Sequence, residues 1–409
     1  MTSSAAGRTP ANAAFDLFDL PAGFHLDPYP TLAAVRREHP VHRMSDGSYL
    51  LTRYDDLVAV YRDPAVWSSD KAVEFKPKFG DTPLYEHHTT SLVFRDPPDH
   101  TRIRKLFQAA FTRKALAALR PRIEALVDHY LDEFEEAREI DLVSGFSFRL
   151  PVDVICDMLG AEADARLDIR DWAKAILGGL EPVLSAEQRD AGSRAVEEFK
   201  AYLRELVAFR RANPTDGTTG EVLTALIEAE EDGERLTELE LLHQCIFLLN
   251  AGHETSTNML THGVHELLRH PDQARRLRAQ PELVESAVEE ILRYQPPIQI
   301  NNRRATRAAE VGGVPLEAGT TVHLMIGAAN RDPDQFPDPE TFDIDRRPNR
   351  HLSFGLGIHI CAGNSLARME GAIAFGKLFA RFPDLALNGE AAIAPRVRFR
   401  EITTLPIRA

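Results

Sequence analysis

"HLSFGLGIHICAG", residues 351–363, sets one cysteine in a run of glycines, with a histidine two residues before it. The fold turns on what that thiol does. Free cysteines are commonly small, buried and inert. Here Gly355, Gly357 and Gly363 flank Cys361, and Phe354 leads the run. Glycine permits positive φ and a close approach of backbone to a ligand. The residues that follow, AGNSLARMEGAIAFGKLFAR, read as an amphipathic helix over 362–381. A sulfur at its N-terminus faces free N–H groups and the positive end of the helix dipole, which favours thiolate. A thiolate there is either a nucleophile or a soft metal ligand.

The rest of the chain is acidic and helical. Its 409 residues are 44% hydrophobic and carry a formal charge of −14, which argues against a nucleic-acid partner. Three well-separated cysteines, Cys156, Cys245 and Cys361, are no disulfide scaffold and suit a reducing cytoplasm. No apolar leader segment and no run of about 20 apolar residues is present, so neither a signal peptide nor a membrane span is expected. Residues 1–14 are small and polar and read as a flexible N-terminus. With no linker or repeat, 15–409 reads as a single domain. Helical periodicity marks 116–138, 193–212, 237–269 and 282–294, while β-like runs fall at 49–54 and 308–326, the latter a hairpin turning at Gly312-Gly313. The class is mainly α with a small β part. In 237–269, Thr237 and Glu240 form a capping-box signature, and His270-Pro271 stops the helix. At 1.5 Å per residue it spans about 50 Å, enough to cross a domain. Its apolar middle, IFLLNAG, runs straight into HETST (253–257).

Three chemistries compete for Cys361. Zinc needs about four close ligands, and His351, His359 and Cys361 are joined by no second cysteine or His pair. A cysteine protease needs an activating base and an oxyanion arrangement that nothing in the loop selects. A haem iron needs one proximal thiolate, and the glycines allow a flat ring to approach. The stretch Phe354-Gly-x-Gly-x-His-x-Cys361-x-Gly363 resembles the haem-binding loop of the cytochrome P450 family, and the resemblance, strongest to soluble bacterial members, covers nearly the whole chain. It implies a triangular helical prism around a buried haem b. Cys361 would be the axial ligand, Phe354 would shield the sulfur and His359 would face a propionate.

Further segments fit the same resemblance. Ala251-Gly252-His253-Glu254-Thr255 resembles the oxygen-activation motif. Ala251 and Thr255 share a helix face, the small residue leaves room for O2, and Glu254 beside the hydroxyl can relay protons. The plain alternative is a helical threonine bonded back to a carbonyl. Ser256 stands where a second threonine is common, and His253 is expected to be structural. Glu290 and Arg293 match the E-x-x-R helix, a structural ion pair; Glu135 and Arg138 have the same spacing and read as a surface pair. The family's third partner, an arginine, is replaced by Thr341. His100, Arg104 and Arg303 match propionate-binding positions, with Arg304 leaving the register open by one.

The substrate region is less legible. Phe75, Phe79, Leu84, Val93 and Phe94 in the loop 71–95, with Leu248, Ile298, Ile300 and Ile402, are candidate pocket residues for a small or medium hydrophobic molecule. Lys76 and Lys78 read as solvated. No flavin or iron–sulfur segment is read after Ala409. The expected electron source is therefore NAD(P)H, acting through a reductase and a ferredoxin or flavodoxin. Arg346, Arg347, Arg350, Arg368, Arg113 and Lys114 are candidates for its docking patch. The implied activity is O2-dependent monooxygenation. A peroxide-driven peroxygenase and a non-catalytic haem protein of the same fold are the alternatives.

Overall fold

The computed structural model describes residues 15–110, 113–162, 164–213, 221–231 and 234–409. The expected flexible N-terminus, 1–14, and the side chains of Arg113 and Lys114 lie outside the described residues. The helix Glu238–Arg269 is the axis of the molecule. Thr237 Oγ1 accepts from the Glu240 amide, and the Glu240 carboxylate accepts from the Thr237 amide, closing the expected capping box. Helices Arg149–Leu159, Arg166–Gly178, Ala186–Ala212 and Asn364–Arg381 pack around it. The approach of Arg149–Leu159 is close: a Cβ on Gly252 would stand 2.7 Å from the Ile155 side chain.

The other predicted helices are present with shifted starts. The 193–212 segment begins at Ala186, where Ser185 and Gln188 form a second capping box. The 282–294 helix begins at Val284 after a single 3₁₀ turn. The 116–138 helix runs Arg113–Ala137. Arg138 closes it at φ +63°, and Glu135 pairs with Arg381 rather than with Arg138, which corrects the expected surface pair.

A five-stranded sheet forms the smaller part, in the order Val41–Arg43, Tyr49–Leu51, Thr321–Met325, Ile300–Ala305, Trp67–Ser68. Only the pairing of Tyr49–Leu51 with Thr321–Met325 is parallel. Leu51, Val322 and Leu324 join one apolar cluster, while Leu50, Ile300 and Met325 join another, so both faces are covered. The strand at 49–54 stops at Leu51 because Tyr54 already begins a helix, its amide donating to Asp332 at 2.8 Å. Ala309–Val311 and Val314–Leu316 form the predicted hairpin around Gly312 and Gly313, both at positive φ. Among the described residues no helix is long and apolar enough to cross a membrane.

Candidate functional site

The cysteine loop folds on itself before the helix Asn364–Arg381. The Cys361 amide donates to the Phe354 carbonyl at 2.9 Å, and Asn364 Nδ2 donates to the Cys361 carbonyl at 2.6 Å. Gly355 and Gly357 take φ of +67° and +74°. A Cβ on Gly357 would also collide with the backbone oxygen of Tyr61. The Phe354 ring is capped by the Arg368 guanidinium at 4.5 Å. Burial raises the Cys361 thiol above its ordinary pKa, against the pull of the Gly363 amide, Arg104 and Arg368. The sequence reading expected the helix terminus to favour thiolate; here burial outweighs it, and a metal ion bound to the sulfur would override burial.

Cys361 opens on a cavity of about 280 Å³. Phe354, Gly355, His359 and Gly363 line it from the loop, and Leu248, Ala251, Gly252 and Thr255 line it from the central helix. His100, Arg104, Arg303, Val93, Phe94 and Ile298 complete the predicted residues that reach it. Arg303, not Arg304, faces the cavity, which settles that register. The rings of His100 and His359 are 4.2 Å apart, and His100 Nδ1 and Nε2 and His359 Nε2 are buried with no hydrogen-bond partner. Burial, then Arg303, His100 and Arg104, pull His359 down to about 2. Two imidazoles and two guanidiniums thus converge on one wall with no carboxylate among them. A lone thiol, a glycine-built approach and unsatisfied donors suited to carboxylates fit a haem with two propionates.

Five predicted pocket residues do not line the cavity. Phe75, Phe79 and Leu84 are packed into the main core, where Phe75 and Phe79 stack edge to face at 5.0 Å. Ile300 faces the sheet's other cluster and Ile402 the main core. Gly357 lies behind the lining. Lys78, read as solvated, is half-buried and donates to the Glu181 carbonyl at 2.6 Å. The reading missed His87, His88, Asn250 and Arg398, all in the lining. Only Asn250 carried a signal, as the one polar residue in IFLLNAG.

The acid and the alcohol of the central helix face different surroundings. Thr255 Oγ1 donates to the Ala251 carbonyl at 2.6 Å inside an unbroken helix. Glu254 is outside the lining and pairs with Arg396, which also meets Glu401 at 2.8 Å and Glu181 at 3.1 Å. Burial raises Glu254 to about 7 against the pull of Arg396. Ser256 Oγ donates at 2.8 Å to Glu370, which burial raises to about 7. His253 packs on Phe148 at 4.8 Å, away from the cavity, and burial pulls it down to about 4.

Beneath the loop, Arg293 grips the fully buried Glu290 at 2.7 and 2.8 Å and donates to the carbonyls of Asn330, Pro339 and Thr341. The missing third cation is Arg346, whose Nε reaches Glu290 at 3.2 Å and whose other nitrogens bind the carbonyls of Pro337, Asp338 and Thr341. Arg346 is thereby withdrawn from the docking patch. Arg368 is tied to Glu289 at 2.6 Å, while Arg347 is 71% exposed.

A family model described as Cytochrome P450 matches residues 41–392. The chain is 39% identical to Cytochrome P450 107B1 of Saccharopolyspora erythraea, over 92% of this chain and 93% of the relative. It is 38% identical to the 6-deoxyerythronolide B hydroxylase of the same organism, over 94% and 96%. The solved structure of P450BioI in complex with hexadec-9Z-enoic acid ligated acyl carrier protein superposes with a TM-score of 0.88 at 34% identity, over 94% of this chain and 99% of that one. A cysteine loop, a central helix and a wall of unsatisfied donors meeting at one cavity are thus matched by likeness along almost the whole length, and the chain belongs to the cytochrome P450 family.

Proposed function

We propose that this haem-thiolate monooxygenase inserts one atom of O2 into a small or medium apolar organic molecule held between the central helix and the cysteine loop. The observation that carries the reading is the convergence of Cys361, the donors of His100, Arg104, Arg303 and His359, and the Ala251–Thr255 face on one cavity. Bound there, a haem b supplies the iron at which O2 is reduced and cleaved, with thiolate donation favouring cleavage. The chain's own residues do the rest. Cys361 holds the iron, and Phe354, with Arg368 over it, covers the sulfur side. His100, Arg104, Arg303 and His359 would hold the carboxylates of the ring. The small Ala251 side chain leaves space at the cavity wall, Gly252 lets Ile155 pack close, and Thr255 holds a hydroxyl proton there. Glu254, near half-protonated at neutral pH, exchanges that proton outward past Arg396.

The relatives support an apolar substrate: one is named for hydroxylating 6-deoxyerythronolide B, another is bound to hexadec-9Z-enoic acid on an acyl carrier protein. Electrons come from NAD(P)H through a separate reductase and a ferredoxin or flavodoxin. Arg347 and Arg350, exposed just before the cysteine loop, are offered as its docking cations. The reading takes residues 15–409 as one catalytic unit and places it in the cytoplasm.

The test is a carbon monoxide difference spectrum of the reduced protein, followed by NADH oxidation with a surrogate ferredoxin and reductase. The long-wavelength Soret band of thiolate ligation, lost in Cys361→His, is expected. A short-wavelength band in the wild type would overturn the ligand assignment. Product formed with peroxide but never with O2 and reductase would replace the monooxygenase by a peroxygenase.

A further inference from the structure

One charged side chain in the cavity has no part in the chemistry above. Arg398, between the strands Ala392–Ile393 and Ile402–Thr404, lines the cavity beside Phe399. Its backbone is pinned on both sides: its amide donates to Glu181 at 3.1 Å, and its carbonyl accepts from the Gln299 amide at 2.8 Å. Its guanidinium makes no hydrogen bond or ion pair among the described residues, and Nε is buried without a partner. The side chain is only part-buried, and it lines the cavity.

The carboxylates whose charge reaches Arg398 are committed elsewhere. Glu181 accepts from Arg396 Nε at 3.1 Å and from the amides of Val397 and Arg398. Glu74 accepts from Lys71 at 2.8 Å and from Asn302 at 2.6 Å. Positive charge is left over at this corner. Lys78 donates only to a carbonyl, and Arg303 donates to the Asn302 carbonyl at 2.8 Å. His88 also lines the cavity, framed by Phe75, Phe79 and Phe94, and its Nε2 is buried with no partner. Burial, then Lys78 and Arg398, pull His88 down to about 3, so it is a neutral hydrogen-bonding group.

A guanidinium whose Nε is buried, with no counter-ion among the described residues, is costly, and proteins pair such charges. The fork of an arginine matches a carboxylate in two parallel hydrogen bonds. We infer that Arg398, backed by Lys78 and His88, recognises an anionic group of the substrate, and that the substrate class is an apolar molecule bearing one carboxylate. The inference rests on reading the cavity as the substrate site. The same carboxylate chemistry is present in a haem propionate, and the experiment separates the two sources. Substrate is favoured because His100, Arg104, Arg303 and His359 already supply four donors for the ring.

The haem-loaded full chain is titrated optically at pH 8 with dodecanoic acid, methyl dodecanoate and dodecan-1-ol, with haem content measured alongside. The acid is expected to bind about ten- to a hundredfold tighter than the ester, the worth of a hydrogen bond to a charged group. Arg398→Gln is expected to abolish that preference with haem content and alcohol affinity unchanged, and Arg398→Lys to keep part of it. Equal affinity of acid and ester in the wild type overturns the inference without any variant. So does an acid preference that survives Arg398→Gln. Loss of haem from Arg398→Gln and Arg398→Lys alike would assign Arg398 to the cofactor and overturn it too. A normal carbon monoxide spectrum beside any of these failures leaves the monooxygenase reading standing; an abnormal one removes both.

Discussion

The Arg346 guanidinium lies 3.2 Å from the Glu290 carboxylate that Arg293 already holds, and it shares the Thr341 carbonyl with Arg293. The third cation of this buried network therefore enters five residues after the position where a motif search looks for it. Removing Arg346 leaves Glu290 with Arg293 as its one cation among the described residues and takes the donors from the Pro337 and Asp338 carbonyls. Arg346→Ala is expected to cost about 3 kcal/mol of stability and to weaken haem retention. Denaturant unfolding followed at the haem band and by far-ultraviolet dichroism checks this. A loss below about 0.5 kcal/mol, the range of ordinary surface substitutions, would make Arg346 a bystander.

Glu254 tests the outward proton path. Glu254→Gln is expected to slow product formation about a hundredfold, within the range of general acid–base effects, while ligand-induced spectral shifts stay the same. Burial raises this acid to about 7 and Arg396 opposes the rise. Arg396→Gln removes the opposing influence, so the proton is held to higher pH. The pH limb of turnover that reports Glu254 should then move upward. A limb that stays in place would separate Arg396 from proton exchange.

Thr255→Ala is expected to keep electron consumption but divert much of it to hydrogen peroxide, because the hydroxyl at the cavity wall is lost. Thr255→Ser, which retains it, should stay close to wild type. The ratio of product to NADH oxidised decides: an unchanged ratio in Thr255→Ala would reduce the hydroxyl to its bond with the Ala251 carbonyl.

Glu370 lowers stability as the pH rises towards neutrality. Among the described residues its only hydrogen bond is from Ser256, and burial raises it from the ordinary 4.5 to about 7. Below pH 4.5 both folded and unfolded chains hold the proton and nothing is lost. Between 4.5 and 7 the unfolded chain releases it first, so stability falls as pH rises and then levels off, by about 3 kcal/mol in all. Glu370→Gln is expected to remove this slope and to melt above wild type at about pH 8 but with it at about pH 4. Parallel melting curves at both pH values would contradict the assignment.

Gly357→Ala combines positive φ with a collision against Tyr61. It is expected to cost at least about 2 kcal/mol, the upper cost of a left-handed non-glycine residue, and to lower haem affinity. Gly376→Ala is the control. Gly376 is inside the helix Asn364–Arg381, and a Cβ there would stand 3.8 Å from its nearest neighbour, the Val284 side chain. A gain of about 0.5–1 kcal/mol is expected. Haem-binding titrations and thermal melts of both variants check the pair.

Local rules were enough for much of this molecule. The capping box at Thr237, the turn at Gly312-Gly313 and the one-face spacing of Ala251 and Thr255 depend on residues within four positions of each other. The glycines around Cys361 lie within six positions of it. Hydrogen-bond range and helix period carry such signals within a short stretch of sequence. Which apolar residue reaches the cavity is not local. Phe75, Phe79 and Leu84 are as apolar as Val93 and Phe94, but the first three face the packed core and the last two face the cavity. Charge balance is less local still. Arg346 replaces a guanidinium absent at Thr341 because a chain turn carries it back over Glu290. Arg398 lacks a counter-ion because Glu181 and Glu74, far away in sequence, spend their oxygens on Arg396, Lys71, Asn302 and backbone amides. Motif and period thus determined the fold from sequence and singled out Cys361 as the candidate site. Tertiary structure alone decided which buried charges were paired, because pairing depends on every segment that converges on a point.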